Sequence, residues 1–491
     1  MPVSPSVAET VREADPLSGP RQAPGTMPAA RSMPEPRSAA ARGEGGPDRL
    51  FWAPHAWTDP VVESDVLIAV SAEGRITAVT PDSGPAPAGA TVLTGLALPG
   101  MANAHSHAFH RALRGSVQVG SGTFWTWRDV MYRVADALDP DRYLALATAV
   151  YTEMALAGIT AVGEFHYVHH APGGARYNDP NAMGEALIEA AARAGIRITL
   201  LDTCYLAAGF GEAPNRHQLR FSDGDADAWA ARAGALKPRE HARIGAAVHS
   251  VRAVPAEQLG TVADWARERR APLHVHLSEQ TAENEACLAA HGISPTQLLA
   301  RHGVLGPRTS AVHATHLTDT DIGLLADSST VICMCPTTER DLADGIGPAR
   351  RLSQAGCPIS LGSDSHAVID PFEEARALEL NERLATQRRG HWTAAALLRA
   401  ATEDGHASLG WSEAGRIAVG ALADFCTVAL DTPRTAGTEP RFAAETAVFA
   451  AGGADVREVV VGGRTVVRDG VHQALPDTGR ALTEAMAQLR V

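Results

Sequence analysis

The feature that most constrains the fold of this 491-residue chain is a regular alternation through its middle. Short apolar or β-branched runs, of the length of buried strands, are separated by stretches with room for a helix. About eight such runs occur, at 97–105, 160–165, 197–204, 243–249, 272–277, 310–315, 330–335 and 358–364. Strands that alternate with helices build parallel sheets, and eight of them close into a barrel. The sequence therefore predicts the α/β class, with a (β/α)8 TIM-type barrel over residues 97–411.

Both chain ends carry a different, strand-rich pattern. The run "VVESDVLIAVSAEGRITAVTP" precedes the barrel, and "VREVVVGGRTVVRDGVH" follows it. Two such ends predict one small β-sandwich module, built from residues 48–96 and 412–475, with a C-terminal helix at 476–491. Residues 1–47 are rich in Pro, Ala, Ser, Gly and Arg without periodicity, which predicts a disordered extension.

Composition excludes several classes of protein. A formal net charge of −13 argues against a nucleic-acid-binding surface. The six cysteines fit no disulfide framework of a secreted domain, and no stretch has the roughly 18 apolar residues of a membrane span. The N-terminus lacks the apolar core of a signal peptide. We therefore expect a cytoplasmic protein that acts on a small molecule, without nucleic-acid or membrane partners; a homodimer is expected, although no segment identifies an interface.

Polar side chains gather where the predicted barrel strands end. The carboxyl ends of all strands meet at one mouth of such a barrel, where its chemistry takes place. Six of the eight runs end in histidines, carboxylates or other polar side chains: His105 and His107; Glu164, His166 and Tyr167; His249 and Arg252; His274, His276 and Glu279; His313 and His316; Asp364 and His366. One such histidine is more often structural, but this many at one mouth favours a metal site.

Four of these side chains form the candidate ligand set. His105 and His107 are two residues apart, so in a strand they point to the same side. Together with His276 and Asp364 they offer nitrogen and oxygen ligands suited to Zn²⁺ or another divalent transition metal.

At these residues the chain resembles the amidohydrolase superfamily. That family has His-x-His after strand 1, a histidine on strands 5 and 6, an aspartate on strand 8, and a β-module from both ends; the resemblance covers most of residues 50–475. Binuclear members bridge their metals with a carboxylated lysine on strand 4. Here strand 4 ends at His249, and the only lysine, Lys237, precedes it. The resemblance therefore implies one metal ion, with zinc expected, and Glu164 is left as an alternative bridging ligand.

The deaminating branch of the superfamily carries His-x-x-Glu after strand 5, which matches His276-Leu-Ser-Glu279. The match selects His276 over His274 as the ligand, and His274 is expected to pack in the barrel. The resemblance implies that Asp364 takes a proton from the attacking water and that His313 stabilises the developing charge. Glu279 would then protonate the departing nitrogen.

Within that branch, five segments resemble the deiminases of linear amidines: "NAHSHAFHRALRG", "FWTWRDVMYR", "HSVRAV", "HLSEQ" and "VHATHLT". Such enzymes hydrolyse N-formimidoyl-L-glutamate to N-formyl-L-glutamate and ammonia in histidine degradation. The resemblance therefore implies a hydrolase of C–N bonds whose substrate carries two carboxylates.

The same resemblance implies a set of substrate-contacting side chains, namely Arg128, Tyr167, His249, Arg252 and His110, with Arg133 in reserve. The two guanidinium groups of Arg128 and Arg252 would bind carboxylates bidentately, which a lysine cannot do. His110 departs from the pattern, because the family commonly has glutamine there.

Three alternatives stay open. The chain could deiminate formimidoyl-aspartate, which also has two carboxylates. It could act on a purine, pyrimidine or triazine ring, although a neutral ring needs no pair of arginines. It could also be a non-catalytic barrel protein, against which the complete set of ligands and proton-transfer groups argues.

Overall fold

The structure is a computed structural model that describes residues 48–119 and 124–489. The predicted disordered extension at residues 1–47 lies outside the described residues, as do the last two residues of the predicted C-terminal helix.

The two chain ends share one sheet of nine strands. Its strands are β1 (Arg49–Trp57), β2 (Val62–Val70), β3 (Ile76–Thr80), β4 (Thr91–Val92), β5 (Leu96–Pro99), and, after the barrel, β14 (Phe425–Val428), β15 (Val456–Val461), β16 (Arg464–Arg468) and β17 (Val471–His472). The order is β17-β16-β15-β14-β5-β1-β2-β3, with β4 beside β1. The antiparallel pair of β14 and β5 joins the two ends of the chain. This confirms the prediction of a β-module built from both ends.

Eight parallel strands form the barrel, in sequential order. They are β6 (Met101–Ser106), β7 (Ile159–His166), β8 (Arg197–Cys204), β9 (Ala242–Val248), β10 (Leu273–Leu277), β11 (Thr309–His313), β12 (Val331–Met334) and β13 (Ile359–Leu361). Each overlaps one of the eight predicted runs, which confirms the barrel.

The first predicted run differs from the structure in one respect. Residues 97–105 are divided between β5 of the terminal sheet and β6 of the barrel, and Gly100 lies between them. A Cβ atom at Gly100 would lie 2.2 Å from Thr160 Oγ1, so only glycine fits where the chain passes from one sheet to the other.

The helices cover the barrel. They are α1 (Phe124–Ala137), α2 (Pro140–Leu156), α3 (Ala182–Ala194), α4 (Ala226–Ala233), α5 (Leu259–Arg269), α6 (Thr281–His291), α7 (Pro295–Arg301), α8 (Asp319–Asp327), α9 (Pro336–Asp341), α10 (Ala349–Ala355), α11 (Pro371–Thr386), α12 (Ala394–Ala401), α13 (Glu403–Ser408), α14 (Ala443–Phe449) and α15 (Thr478–Ala487). Among the described residues, no helix combines the length and apolar character needed to cross a bilayer.

Hydrogen bonds between the first and last barrel strands close the barrel. The Asp364 amide donates to the His105 carbonyl at 3.0 Å, and the Asn103 side chain accepts from the Ser363 amide at 2.9 Å. Gly362 permits this approach, because a Cβ there would lie 2.7 Å from His105 Cβ. Closure therefore brings the residues after β13 next to the end of β6, at the mouth of the barrel.

Candidate active site

Three imidazoles and one carboxylate converge at the barrel mouth. The Nε2 atoms of His105 and His107 each lie 3.3 Å from Asp364 Oδ1. His276 Nε2 lies 3.1 Å from His105 Nε2, and all four ligand atoms lie within 4.8 Å of one another. The structure thus brings together the four predicted ligands.

Backbone carbonyls orient two of these imidazoles. His107 Nδ1 donates to the Phe165 carbonyl, and His276 Nδ1 donates to the His249 carbonyl, both at 2.9 Å. Because a carbonyl only accepts, Nδ1 carries a proton in both rings, and Nε2 faces the cluster. Burial lowers the pKa of His105 to about 3 and also lowers the pKa of His276, so the rings of His105 and His276 are neutral.

This arrangement fits a divalent cation. A proton on His105 Nε2 could be shared with only one neighbouring acceptor. A cation at the centre of the cluster would instead be bound by the Nε2 atoms of all three histidines and by the carboxylate of Asp364. Carbonyl groups that bind the outer nitrogen of ligating histidines are the usual support of such sites. The donor set is therefore that of a metal centre.

The two oxygens of Asp364 face different neighbours. Oδ1 faces His105 and His107, while Oδ2 lies 3.9 Å from His313 Nε2. Burial would raise the pKa of Asp364, but the neighbouring imidazoles of His105, His107 and His313 hold it well below its usual range. Asp364 is therefore an ionised carboxylate with one oxygen on the ligand side and one directed towards His313.

His313 lies between carboxylates. Its Nε2 is 3.9 Å from Glu279 Oε1, and its Nδ1 is 3.5 Å from Glu339 Oε1. Burial alone would lower the pKa of His313, but the charges of Glu279, Glu339 and Asp364 raise it well above its usual value. His313 is therefore positioned as a cationic hydrogen-bond donor beside the ligand cluster.

Left-handed backbone conformations cluster at this mouth. Ser278, His313 and Asp364, each at or shortly after the end of a barrel strand, have φ values of 51°, 70° and 41°. Non-glycine residues rarely adopt such values, and they persist where the surrounding structure imposes them. The packing of the mouth thus holds these three positions in strained conformations that aim the side chains of His313 and Asp364 at the cluster.

One pocket joins the ligand cluster to the predicted substrate residues. It is lined by the ligands and proton-transfer groups His107, His276, Glu279, His313 and Asp364, and by the predicted substrate contacts His110, Arg128, Tyr167, His249 and Arg252. The reserve candidate Arg133 does not line this pocket. It is exposed and lines a separate surface pocket with Arg111 and Arg114.

Two of the predicted contacts are held by neighbours. His110 Nε2 and the Tyr167 hydroxyl lie 2.9 Å apart, so His110 supports Tyr167 as well as lining the pocket. Arg252 Nε donates to Glu283 Oε2 at 2.8 Å, and Glu283 Oε1 accepts from the Ser278 amide at 2.9 Å. Glu283 therefore fixes the guanidinium of Arg252 relative to the end of β10.

Several residues that line this pocket were not predicted from the sequence. Further pocket-lining residues are Trp127, Met131, Tyr132, Tyr205, Phe221 and Leu342. Tyr132 follows Arg128 by four residues on α1, a spacing that places both on one helix face. Tyr205 directly follows β8, so the rule that strand ends carry function would have found it. Glu339 had no such signal.

Two other groups are not suited to a second metal. Glu164 accepts from Ser106 Oγ and the Ala108 amide, both at 2.7 Å, so the alternative of Glu164 as a bridging ligand is not favoured. His166, His169 and Asp202 also lie close together, but Arg232 donates to both oxygens of Asp202 at 2.8 Å. The charge of that carboxylate is already balanced by a guanidinium.

Comparison with known proteins gives the class. Residues 96–466 match the amidohydrolase family, and the chain belongs to that family. A formimidoylglutamate deiminase from Pseudomonas aeruginosa is 37% identical over 439 residues, which are 87% of this chain and 96% of the relative. The predicted family is therefore confirmed.

Two solved structures are also similar. An amidohydrolase from Brucella melitensis has a TM-score of 0.83 at 31% identity, covering 90% of this chain and 99% of its own. An adenosine deaminase from Xanthomonas campestris, solved with bound zinc, has a TM-score of 0.77 at 25% identity, covering 90% and 97%. The barrel with its terminal β-module is thus the fold of solved amidohydrolases.

Proposed function

We propose that this chain hydrolyses N-formimidoyl-L-glutamate to N-formyl-L-glutamate and ammonia, with one divalent metal ion, zinc, as cofactor. The observation that carries the proposal is the single pocket that links the histidine and aspartate cluster to Arg128 and Arg252. An amidine group would lie at the cluster while two carboxylates meet the guanidinium groups. The similarity to the Pseudomonas aeruginosa enzyme supports this substrate.

His105, His107, His276 and Asp364 would hold the ion. When bound, it would lower the pKa of water so that a nucleophile is present at neutral pH. The mixed nitrogen and oxygen ligand set supports zinc, as does the zinc in the Xanthomonas campestris structure. A single ion is also supported by the second cluster, where the charge of the Asp202 carboxylate is balanced by Arg232.

The side chains around the cluster divide the proton transfers. Asp364, an ionised carboxylate, accepts a proton from the attacking water. His313 donates a hydrogen bond that stabilises charge at the reacting carbon. Burial raises the pKa of Glu279, so this carboxyl group takes up a proton more readily than an exposed glutamate does and can deliver it to the leaving nitrogen.

Arg252 provides the carboxylate contact. Its Nε is engaged by Glu283, and its two terminal nitrogens make no hydrogen bond within the described part of the chain. A guanidinium oriented in this way presents its remaining N–H groups to a carboxylate as a rigid pair of donors.

Replacing Arg252 by methionine is expected to lower kcat/KM on N-formimidoyl-L-glutamate. The loss should correspond to a few kcal/mol of transition-state binding free energy, the scale of a charge-assisted bidentate contact. Metal content should stay normal, because Arg252 is not among the ligands. Arg252→Lys should recover little, since an ammonium cannot reproduce the two-pronged contact. Steady-state ammonia release on the diacid and on formimidoyl-glycine measures the effect. A wild-type protein that turns over formimidoyl-glycine as well as the diacid would contradict the proposed substrate.

We also propose a cytoplasmic location. All six cysteines are buried and free, as expected of a protein in a reducing compartment. The homodimer and the absence of nucleic-acid and membrane partners stay predictions.

A further inference from the structure

We propose that three buried side chains, Glu164, Ser106 and His366, form a hydrogen-bonded brace that holds the metal ligands at the end of β6 in register with the ligand that follows β13. The inference rests on the proposed function, since it concerns the site at which the cation would bind. None of the three side chains belongs to the ligand cluster, and none lines the pocket. They are positioning residues, because they would act on the cation only through its ligands.

Ser106 lies between the two ligands of the His-x-His segment. Because side chains alternate along an extended strand, Ser106 points to the side opposite to His105 and His107. Its backbone pairs with that of Asp364 in an isolated β-bridge. There the His105 carbonyl accepts from the Asp364 amide at 3.0 Å, and the His107 amide donates to the Asp364 carbonyl at 3.3 Å. A shift of Ser106 would therefore move ligands on both chain segments.

Glu164, near the end of β7, holds the chain on both sides of His107. Its Oε2 accepts from Ser106 Oγ, and its Oε1 accepts from the Ala108 amide, both at 2.7 Å. The next residue of the same strand orients the ligand itself, since His107 Nδ1 donates to the Phe165 carbonyl at 2.9 Å. The end of β7 thus fixes both the chain around this ligand and the direction of its ring.

His366 connects the brace to the segment that carries Asp364. The Ser106 hydroxyl has one hydrogen, which it donates to Glu164, so His366 Nε2 at 3.1 Å must be the donor to Ser106 Oγ. His366 follows Asp364 by two residues, and its carbonyl accepts from Arg114 Nε at 2.8 Å. The hydrogen bonds therefore run from His366 through Ser106 to Glu164 and link the ends of β6, β7 and β13.

The burial of these groups indicates a role beyond closing the barrel. Glu164, Ser106 and His366 each have an exposed fraction of 0%, and Glu164 forms no ion pair with an arginine or lysine in the described part of the chain. Burying a carboxylate in this way costs free energy that apolar side chains of similar size would not cost. Contacts of this kind around metal ligands keep the ligands oriented, which accounts for the brace.

The test measures the zinc affinity of the full chain by competition with a chromophoric chelator, after the metal has been removed by dialysis. Ser106→Ala leaves the backbone hydrogen bonds of this segment intact but removes both side-chain contacts, so the Kd for zinc should rise about 10- to 100-fold. Ser310→Ala is the matched control, because Ser310 is a buried serine of β11 whose hydroxyl has no hydrogen-bond partner among the described residues. This control should bind zinc as tightly as the wild type.

A double-mutant cycle tests whether Ser106 and Glu164 act as one unit. Glu164→Gln keeps an oxygen for the Ala108 amide and offers Ser106 an NH₂ group in place of an acceptor, so a smaller loss of zinc affinity is expected. Without the Ser106 hydroxyl, glutamine and glutamate make the same contact with Ala108. The double variant should therefore bind zinc about as tightly as Ser106→Ala does. Additive losses would overturn the brace as a unit.

Cobalt(II) distinguishes displaced ligands from a general loss of stability. The visible absorption of bound Co(II) depends on the geometry of its ligands. Ser106→Ala saturated with Co(II) should therefore differ from the wild type in the position or intensity of these bands, and Ser310→Ala should match the wild type. Wild-type zinc affinity and a wild-type cobalt spectrum in Ser106→Ala would overturn the inference, even if the variant melts at a lower temperature.

These measurements need no turnover, so they separate the brace from the proposed reaction. A wild-type protein that releases no ammonia from N-formimidoyl-L-glutamate, yet loses zinc affinity through Ser106→Ala, would overturn the reaction and retain the brace. A wild-type protein that deiminates this substrate, with unchanged zinc affinity and cobalt spectrum in Ser106→Ala, would retain the reaction and overturn the brace.

Discussion

Replacing His276 by glutamine is expected to reduce the metal content of the purified protein from about one divalent ion per chain to a small fraction of that. Activity should fall at least about 100-fold, since loss of even an indirect ligand contact costs 10- to 100-fold. The reason is geometric: the Nε2 atom of His276 is 3.1 Å from that of His105, and no other described nitrogen takes its place in the ligand cluster. Metal analysis by mass spectrometry and ammonia release would be measured on the same preparation.

His274→Gln is the matched control, because His274 precedes His276 by two residues on the same strand. It is buried in the barrel, where its Nε2 lies 3.4 Å from the Ser408 carbonyl, and it is not part of the cluster. This variant should keep its metal. If His274→Gln lost the ion and His276→Gln kept it, the assignment of ligands would be wrong.

Replacing Glu279 by glutamine is expected to lower kcat by about 100-fold or more while the metal content stays normal. Glutamine keeps the size and shape of the side chain but cannot carry a proton to the leaving nitrogen. The carboxyl group is suited to that task, because burial raises its pKa and it lies 3.9 Å from His313. Single-turnover measurements of ammonia release would isolate the chemical step.

Glu283→Gln gives the contrast, since Glu283 lies four residues further on and contacts Arg252 rather than His313. This variant should raise KM through a misplaced guanidinium and leave kcat much less affected. Near-normal kcat in Glu279→Gln would remove Glu279 from the proton transfers.

The ligand cluster was predictable because the carboxyl ends of all strands of a barrel meet at one mouth. His105 and Asp364 lie at strand ends, so the sequence indicated that they would meet, and the resemblance to the deaminating branch selected His276 over His274 as their partner. Glu339 was not predictable in this way. It reaches His313 from the short helix α9, which follows β12, and it also accepts from the Cys335 amide at 2.8 Å.

At the substrate end of the pocket, only some of the lining residues could be predicted from the sequence. Arg128 and Tyr132 are four residues apart on α1 and line the pocket together, whereas Arg133, five residues from Arg128, lies about 140° further round the helix and points away. Helical geometry would have ranked Tyr132 above Arg133. The Tyr205 hydroxyl accepts from Gln218, thirteen residues away at the start of a short 3-10 helix, and no local pattern encodes that contact.

The function proposed for this chain is metal-dependent hydrolysis of a formimidoyl dicarboxylate. The most direct measurement compares kcat/KM for ammonia release from N-formimidoyl-L-glutamate, N-formimidoyl-L-aspartate and adenosine, before and after removal of the metal by a chelator and after its return. We predict that the glutamate compound is the best substrate, that adenosine is not deaminated, and that activity disappears with the metal and returns with about one equivalent of zinc. Faster turnover of adenosine, or activity of the metal-free protein equal to that of the loaded protein, would contradict the account.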